Sequence, residues 1–212
     1  MRHLLAPEPR QGFPWAVCVL LAVSWLTFVI SPERDEYERH PLFFHAPDLT
    51  QDPLRILPQL FITPLYNTQF DQIVLITGLL VLFAVPFELR VGWKPVVAIF
   101  WLTSAAAALL GAALLHLLYP AFPDVYTFAD AGWYRTFNGG SAGSWGLMAA
   151  FATTSRRTWP WIFGFACWEL FWFIGMTQDY TLFFHGFAVL AGLLCGLWLR
   201  RRGIGWSAAN ID

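Results

Sequence analysis

The stretch Asn138-Gly139-Gly140-Ser141-Ala142-Gly143-Ser144-Trp145-Gly146 sets four glycines beside two serines. Glycine costs free energy inside a helix, so this density implies a strained turn, a close helix approach, or a backbone that must come near a substrate. Ser141 in that setting is a candidate nucleophile. A serine hydroxyl attacks at neutral pH only when a neighbouring base takes its proton. Two histidines lie within apolar runs, His116 and His185, and His185 stands in Thr181-Leu182-Phe183-Phe184-His185-Gly186-Phe187-Ala188-Val189-Leu190-Ala191-Gly192. At a rise of about 1.5 Å per residue, Ser141 and His185 each fall within about two helical turns of the same surface, a depth compatible with a hydrogen bond. His116, among Leu114, Leu115, Leu117 and Leu118, reads as a packed or interfacial histidine.

Each of these residues also has a plainer reading. Small residues at a helix start serve packing, and an isolated buried histidine is often a satisfied polar group. The shared depth makes Ser141 with His185 the preferred pair. Glu169 lies between Trp168 and Leu170 inside an apolar run, and an intramembrane carboxylate is a functional hypothesis by default. Its alternative is a protonated glutamate hydrogen-bonded to a neighbouring helix or held by a partner protein. Asp71 and Asp179 read as solvated caps at span ends. Cys18, Cys167 and Cys195 lie in apolar runs without CxxC spacing and read as small hydrophobes, with neither a disulfide framework nor a zinc site. No metal or organic cofactor is implied.

The elements that must position these groups follow from composition. The chain has 212 residues, 57% hydrophobic and 13% charged, against about 25% charged in soluble domains. Its mean hydropathy is +0.51. With 13 Lys and Arg against 14 Asp and Glu there is no basic surplus to hold nucleic acid. The class that remains is a polytopic membrane protein in contact with a lipid bilayer, and 12 Trp, 20 Phe and 6 Tyr suit its interfaces and core.

Six uncharged or nearly uncharged stretches are candidate spans: Pro14 to Ile30, Gln72 to Phe87, Pro95 to Tyr119, Thr136 to Ser155, Trp159 to Met176, and Tyr180 to Leu199. The first is long for a signal peptide and lacks a small-x-small site after it. The second, bounded by Asp71 and Glu88, is short and calls for a thinned bilayer or shielding by neighbours. Alternating six spans puts nine Lys and Arg on one side (Arg2, Arg10, Arg90, Lys94, Arg156, Arg157, Arg200, Arg201, Arg202). Four fall on the other (Arg34, Arg39, Arg55, Arg135), so both termini are expected in the cytoplasm. On the outer side, residues 31 to 71 are broken by Pro53, Pro58 and Pro64 and read as short amphipathic interfacial pieces. Pro120 to Arg135, with Pro123, Gly132, Asp124 and Asp130, reads as a second outer loop. No internal repeat divides the chain, which is read as one domain, 1–212, with short tails 1–13 and 200–212.

Together these residues resemble the rhomboid intramembrane serine proteases. Aligned through Leu147-Met148, Ser141 falls on the family nucleophile, Gly139 on the first motif glycine, Trp145 on the aromatic that packs against the base, and His185 on that base, with Gly192 seven residues on. Glu88-Leu89-Arg90-Val91-Gly92 is similar to the family's Glu-x-Arg-x-Gly, and Pro53-Leu54-Arg55 to its outer-loop entry. The resemblance spans roughly residues 14 to 200. It implies an all-α, six-transmembrane-helix rhomboid-like bundle with an amphipathic outer loop between helices 1 and 2, in a bacterial inner membrane. The implied activity is an endopeptidase that cleaves membrane-protein substrates near the outer face. Ser141 and His185 would form a dyad, with no carboxylate orienting the histidine. Backbone N–H groups near Ser141, at Gly139 and Gly140, and the Gln72 amide would stabilise the oxyanion.

The chain departs from the family at Ala142, where glycine follows the nucleophile, and at Gln72 and Ile76, where the family has His and Asn. Ala188 replaces a packing glycine, which predicts slightly wider separation of the fourth and sixth spans. A second register, Gly140-Ser141-Ala142-Gly143, would put Ala142 on the nucleophile. It leads to the other reading, an inactive rhomboid-like protein that binds a membrane partner or serves as a scaffold subunit. A transporter is a weaker third reading, since no inverted repeat is present.

Overall fold

The structure is a computed structural model that describes residues 12–30, 42–119, 132–154, 158–177 and 180–204. Eight helices are defined here in chain order: α1 (Trp15–Ile30), α2 (Asp48–Gln51), α3 (Pro53–Ile62), α4 (Phe70–Val91), α5 (Trp93–Leu118), α6 (Ser141–Thr154), α7 (Thr158–Trp172, continued by a π-helical turn Phe173–Thr177) and α8 (Thr181–Arg201). The described residues contain no strand, and one isolated bridge joins Phe44 to Phe137. Three helices, α4, α5 and α8, are long and apolar enough to cross a membrane, while α1 is apolar but has 16 residues. Arg2, Arg10, Arg34, Arg39, Arg156, Arg157, Asp124, Asp130 and Asp179, together with most of the second outer loop, lie outside the described residues.

The second apolar stretch, expected to end at Phe87, belongs to a helix of 22 residues. Glu88 does not end it, because the carboxylate turns inward and is only 4% exposed. Its two oxygens accept the N–H groups of Ala16 and Val17, each at 2.9 Å. The first N–H groups of a helix have no intrahelical acceptor, so one buried anion completes the start of α1 and complements its dipole. At this length α4 needs no thinned bilayer. Within it, Leu80–Ala84 widen into a π-helical turn just before Pro86, which lacks an N–H and whose ring would press on the preceding turn.

The connection from α1 to α4 folds into short helices, as its prolines suggest. Pro53 opens α3 and Pro58 lies inside it. Leu54, Leu57 and Phe61 face outward and exposed while Gln59 is buried, an amphipathic arrangement with the apolar side away from the protein. The Trp101 indole N–H ties α3 to α5 through the Phe61 carbonyl at 3.2 Å.

Helix α6 is the axis of the bundle. Every residue from Gly143 to Thr154 is buried, and α4, α5, α7 and α8 pack around it. A helix buried on all sides must be apolar or small all round, and SAGSWGLMAAFATT carries no charge. The expected fourth span from Thr136 is corrected: the helix begins at Ser141, and at about 1.5 Å per residue its 14 residues cover only about 21 Å. Helix α8 runs parallel to it, with successive contacts at Ser141 and His185, Gly146 and Gly192, and Ala150 and Gly196. A Cβ on Gly192 would lie 2.9 Å from Gly146 Cα, so the two backbones touch there despite Ala188.

Glu88→Ala would strand the Ala16 and Val17 N–H groups and is expected to destabilise the fold by about 2–5 kcal/mol. Glu88→Gln, which keeps one acceptor oxygen, should lose less; thermal unfolding in detergent measures both.

Candidate functional site

The site is built first by the turn that leads into α6. Phe137 N–H donates to the Phe44 carbonyl at 2.9 Å, which anchors the chain before the glycines. Gly139 then adopts φ +90°, a left-handed conformation costly for any residue with a Cβ. Its N–H donates to the Thr63 carbonyl at 3.0 Å, and the Gly140 N–H donates to Asn67 Oδ1 at 3.2 Å. Asn138 Nδ2 donates to Thr68 Oγ1 at 3.0 Å, and Gln72 Nε2 donates to the Asn138 carbonyl at 3.0 Å. Residues 63 to 72 thus clamp the turn, and Ser141 emerges as the first residue of α6.

Within this frame His185 Nε2 lies 3.0 Å from Ser141 Oγ. On the far side of the ring, His185 Nδ1 lies 2.9 Å from Glu169 Oε1. All three groups are buried, at 8% exposure for Ser141, 7% for His185 and 5% for Glu169. The expectation that no carboxylate orients the histidine is therefore corrected. A carboxylate only accepts hydrogen bonds, so an ionised Glu169 requires the proton on Nδ1, which leaves Nε2 free to accept the Ser141 O–H. This is the chemical state of an activated serine. The contact arises because α7 packs on α6 and turns Glu169 toward the bundle, where it meets His185 of α8.

Trp145 neighbours the base, with ring centroids 6.2 Å apart from His185, and makes an edge contact at 4.9 Å with Phe165 of α7. Ser141 rather than Ala142 meets the His185 ring. The Ser144 hydroxyl is buried in α6 without a hydrogen-bond partner, and Ile76 is wholly buried in the core. Gly139 and Gly140 have spent their N–H groups on the turn, which corrects the expectation that they meet an oxyanion; the first N–H groups of α6, at Ser141 and Ala142, have no intrahelical acceptor, and the buried Trp145 Nε1 has no partner. Gln72 uses one amide N–H on Asn138, and its buried Oε1 has no partner.

A cavity of about 360 Å³ opens beside Ser141, His185 and Glu169, walled by Gln72, Leu75, Arg135, Trp168 and Trp172. A smaller one, about 90 Å³, lies on the other side of Ser141 against Phe44, Ala107 and Tyr180. Both are mainly apolar with a polar corner, and Arg135, whose Nη1 donates to Thr181 Oγ1 at 2.8 Å, edges each. His116 is not part of this site. Its ring nitrogens meet the Ala112 carbonyl at 2.8 Å and Thr50 Oγ1 at 3.3 Å, and it packs on Trp133. Asp71 is exposed at the start of α4, where it accepts the Gln72 N–H at 2.9 Å. Cys18, Cys167 and Cys195 are free thiols on three different helices, and no group of three metal-ligating side chains is found among the described residues.

Sequence reasoning missed Thr63 and Asn67 as supports of the site. Asn67 is fully buried, yet in the sequence it opens the polar stretch Asn67-Thr68-Gln69 ahead of α4, which reads as an ordinary loop and carries no signal of a buried support. No protein-family model, curated protein or solved structure matches this chain.

Asn67→Ala would leave the Gly140 N–H buried without an acceptor and is expected to cost about 1–3 kcal/mol of stability, read as a lower unfolding midpoint in detergent. Gly139→Ala, which forces a Cβ into a left-handed residue and toward the Gln72 amide, should cost a comparable amount.

Proposed function

We propose that this chain is a rhomboid-like intramembrane serine endopeptidase with six membrane helices, acting on membrane-protein substrates near the outer face of a bacterial inner membrane. The observation that carries the reading is the 3.0 Å contact between Ser141 Oγ and His185 Nε2 at the wall of a cavity. Ser141 Oγ attacks the peptide carbonyl carbon while His185 Nε2 takes its proton. The C–N bond then breaks as the imidazolium returns that proton to the leaving amine. Water, deprotonated by the same nitrogen, attacks the acyl ester and releases the carboxyl product with Ser141 restored. The Ser141 and Ala142 N–H groups at the start of α6 stabilise the oxyanion, where one donor is typically worth about 10²–10³ in rate.

The six-span arrangement takes α1, α4, α5, α6, α7 and α8 as the spans, with the turn before α6 at their outer end. A second reading, an inactive scaffold that holds a membrane partner, draws on the Gly139 and Gly140 N–H groups being spent on the turn and on Ile76 supplying no donor.

Labelling of the purified full chain by a fluorophosphonate probe separates the two. Wild type should label, and both Ser141→Ala and His185→Ala should abolish labelling while remaining folded. A folded wild type that does not label favours the scaffold.

A further inference from the structure

Glu169 is the one acidic side chain buried against the proposed catalytic pair, and a Ser–His dyad leaves it without a task. Among the described residues of α7 only Phe165 and Glu169 are buried, one helical turn apart on the face that meets the bundle. Phe165 packs on Trp145, as an apolar contact should. A carboxylate in the neighbouring position is a poor choice for docking alone. Removing it from water is costly, and a leucine of similar bulk would bury more cheaply. What the carboxylate does have is a 2.9 Å contact with the nitrogen of His185 that faces away from Ser141.

We infer that Glu169 is the positioning residue of a three-member relay, Ser141–His185–Glu169, holding the His185 proton on Nδ1 and stabilising the imidazolium formed when Ser141 attacks. The inference rests on the hydrolase reading for its catalytic consequence, but its chemical content, the tautomer and charge of His185, can be read without turnover. With Glu169 ionised, neutral His185 carries its proton on Nδ1 and Nε2 is the base. With Glu169 protonated, the carboxyl O–H would donate to Nδ1, place the ring proton on Nε2, and disarm the base. Asp71 of α4 and Arg135 before α6, the other charged groups lining the cavity beside the ring, are common to wild type and variants. A change in the His185 tautomer on altering residue 169 therefore reports Glu169.

The test is ¹⁵N NMR of the His185 ring in the full chain in detergent, across pH, for wild type, Glu169→Gln and Glu169→Asp. Fluorophosphonate labelling rates are taken on the same samples, and unfolding midpoints confirm that each is folded. Wild type should show the Nδ1–H tautomer. Glu169→Gln removes the anion that holds the proton on Nδ1 and should let the Nε2–H tautomer of His185 appear. It should also slow labelling by about 10²–10⁴-fold, the range seen when a relay carboxylate is lost elsewhere. Glu169→Asp keeps the carboxylate and should retain the Nδ1–H tautomer; it carries the test if Glu169→Gln does not fold. A wild-type Nε2–H tautomer, or a tautomer and labelling rate both unchanged in folded Glu169→Gln, overturns the assignment. A wild type with the expected tautomer that never labels overturns the hydrolase reading and leaves the Glu169 contact standing.

Discussion

The close approach of α6 and α8 is the constraint on which the rest of the structure depends. Gly146 and Gly192 put backbone against backbone, and a turn later Gly196 seats against Ala150. Inside a bilayer no hydrophobic force brings two helices together, so side chains small enough to admit direct contact supply the attraction. Because the helices run parallel, the register fixed by these contacts carries to their first turns and sets Ser141 opposite His185. A wider separation there would open a gap that the histidine ring could not span.

The second requirement is that polar backbone removed from water must find partners. The turn before α6 meets it with groups drawn almost entirely from residues 63 to 72: the Thr63 carbonyl, Asn67, Thr68 and Gln72. This pairing leaves the first N–H groups of α6 and the Trp145 indole N–H uncommitted near Ser141. At the opposite end of α4, Glu88 completes the start of α1 in the same way. Two buried carboxylates thus hold contrasting places. Glu88 caps a helix, whereas Glu169 meets a titratable ring.

Much of this arrangement was legible in the sequence, in uneven fashion. Apolar run length located the main helices, and proline spacing marked the broken segment that became α2 and α3. The glycine–serine cluster and the depth of His185 selected the pair that the fold brings together. Boundaries were less legible. Glu88 looked like the end of a span because a charge ordinarily belongs in water, and nothing local revealed that the start of α1 would receive it. Thr136 to Gly140 looked like helix because the run carries a single charge just before it, yet Gly139 and the Phe44–Phe137 bridge keep it extended.

The sequence by itself determined the apolar character of the helices and singled out Ser141 and His185 as candidates, since these depend on composition and on spacing within one segment. Only the tertiary structure decided which groups meet. Asn67 reaches Gly140 across 73 residues and Glu169 reaches His185 across 16. The direction of one side chain on α7 relative to another on α8 depends on helix rotation, which an all-round apolar sequence leaves undefined. Close glycine packing and the need to satisfy a buried carboxylate fix that rotation, and both are properties of the assembled bundle.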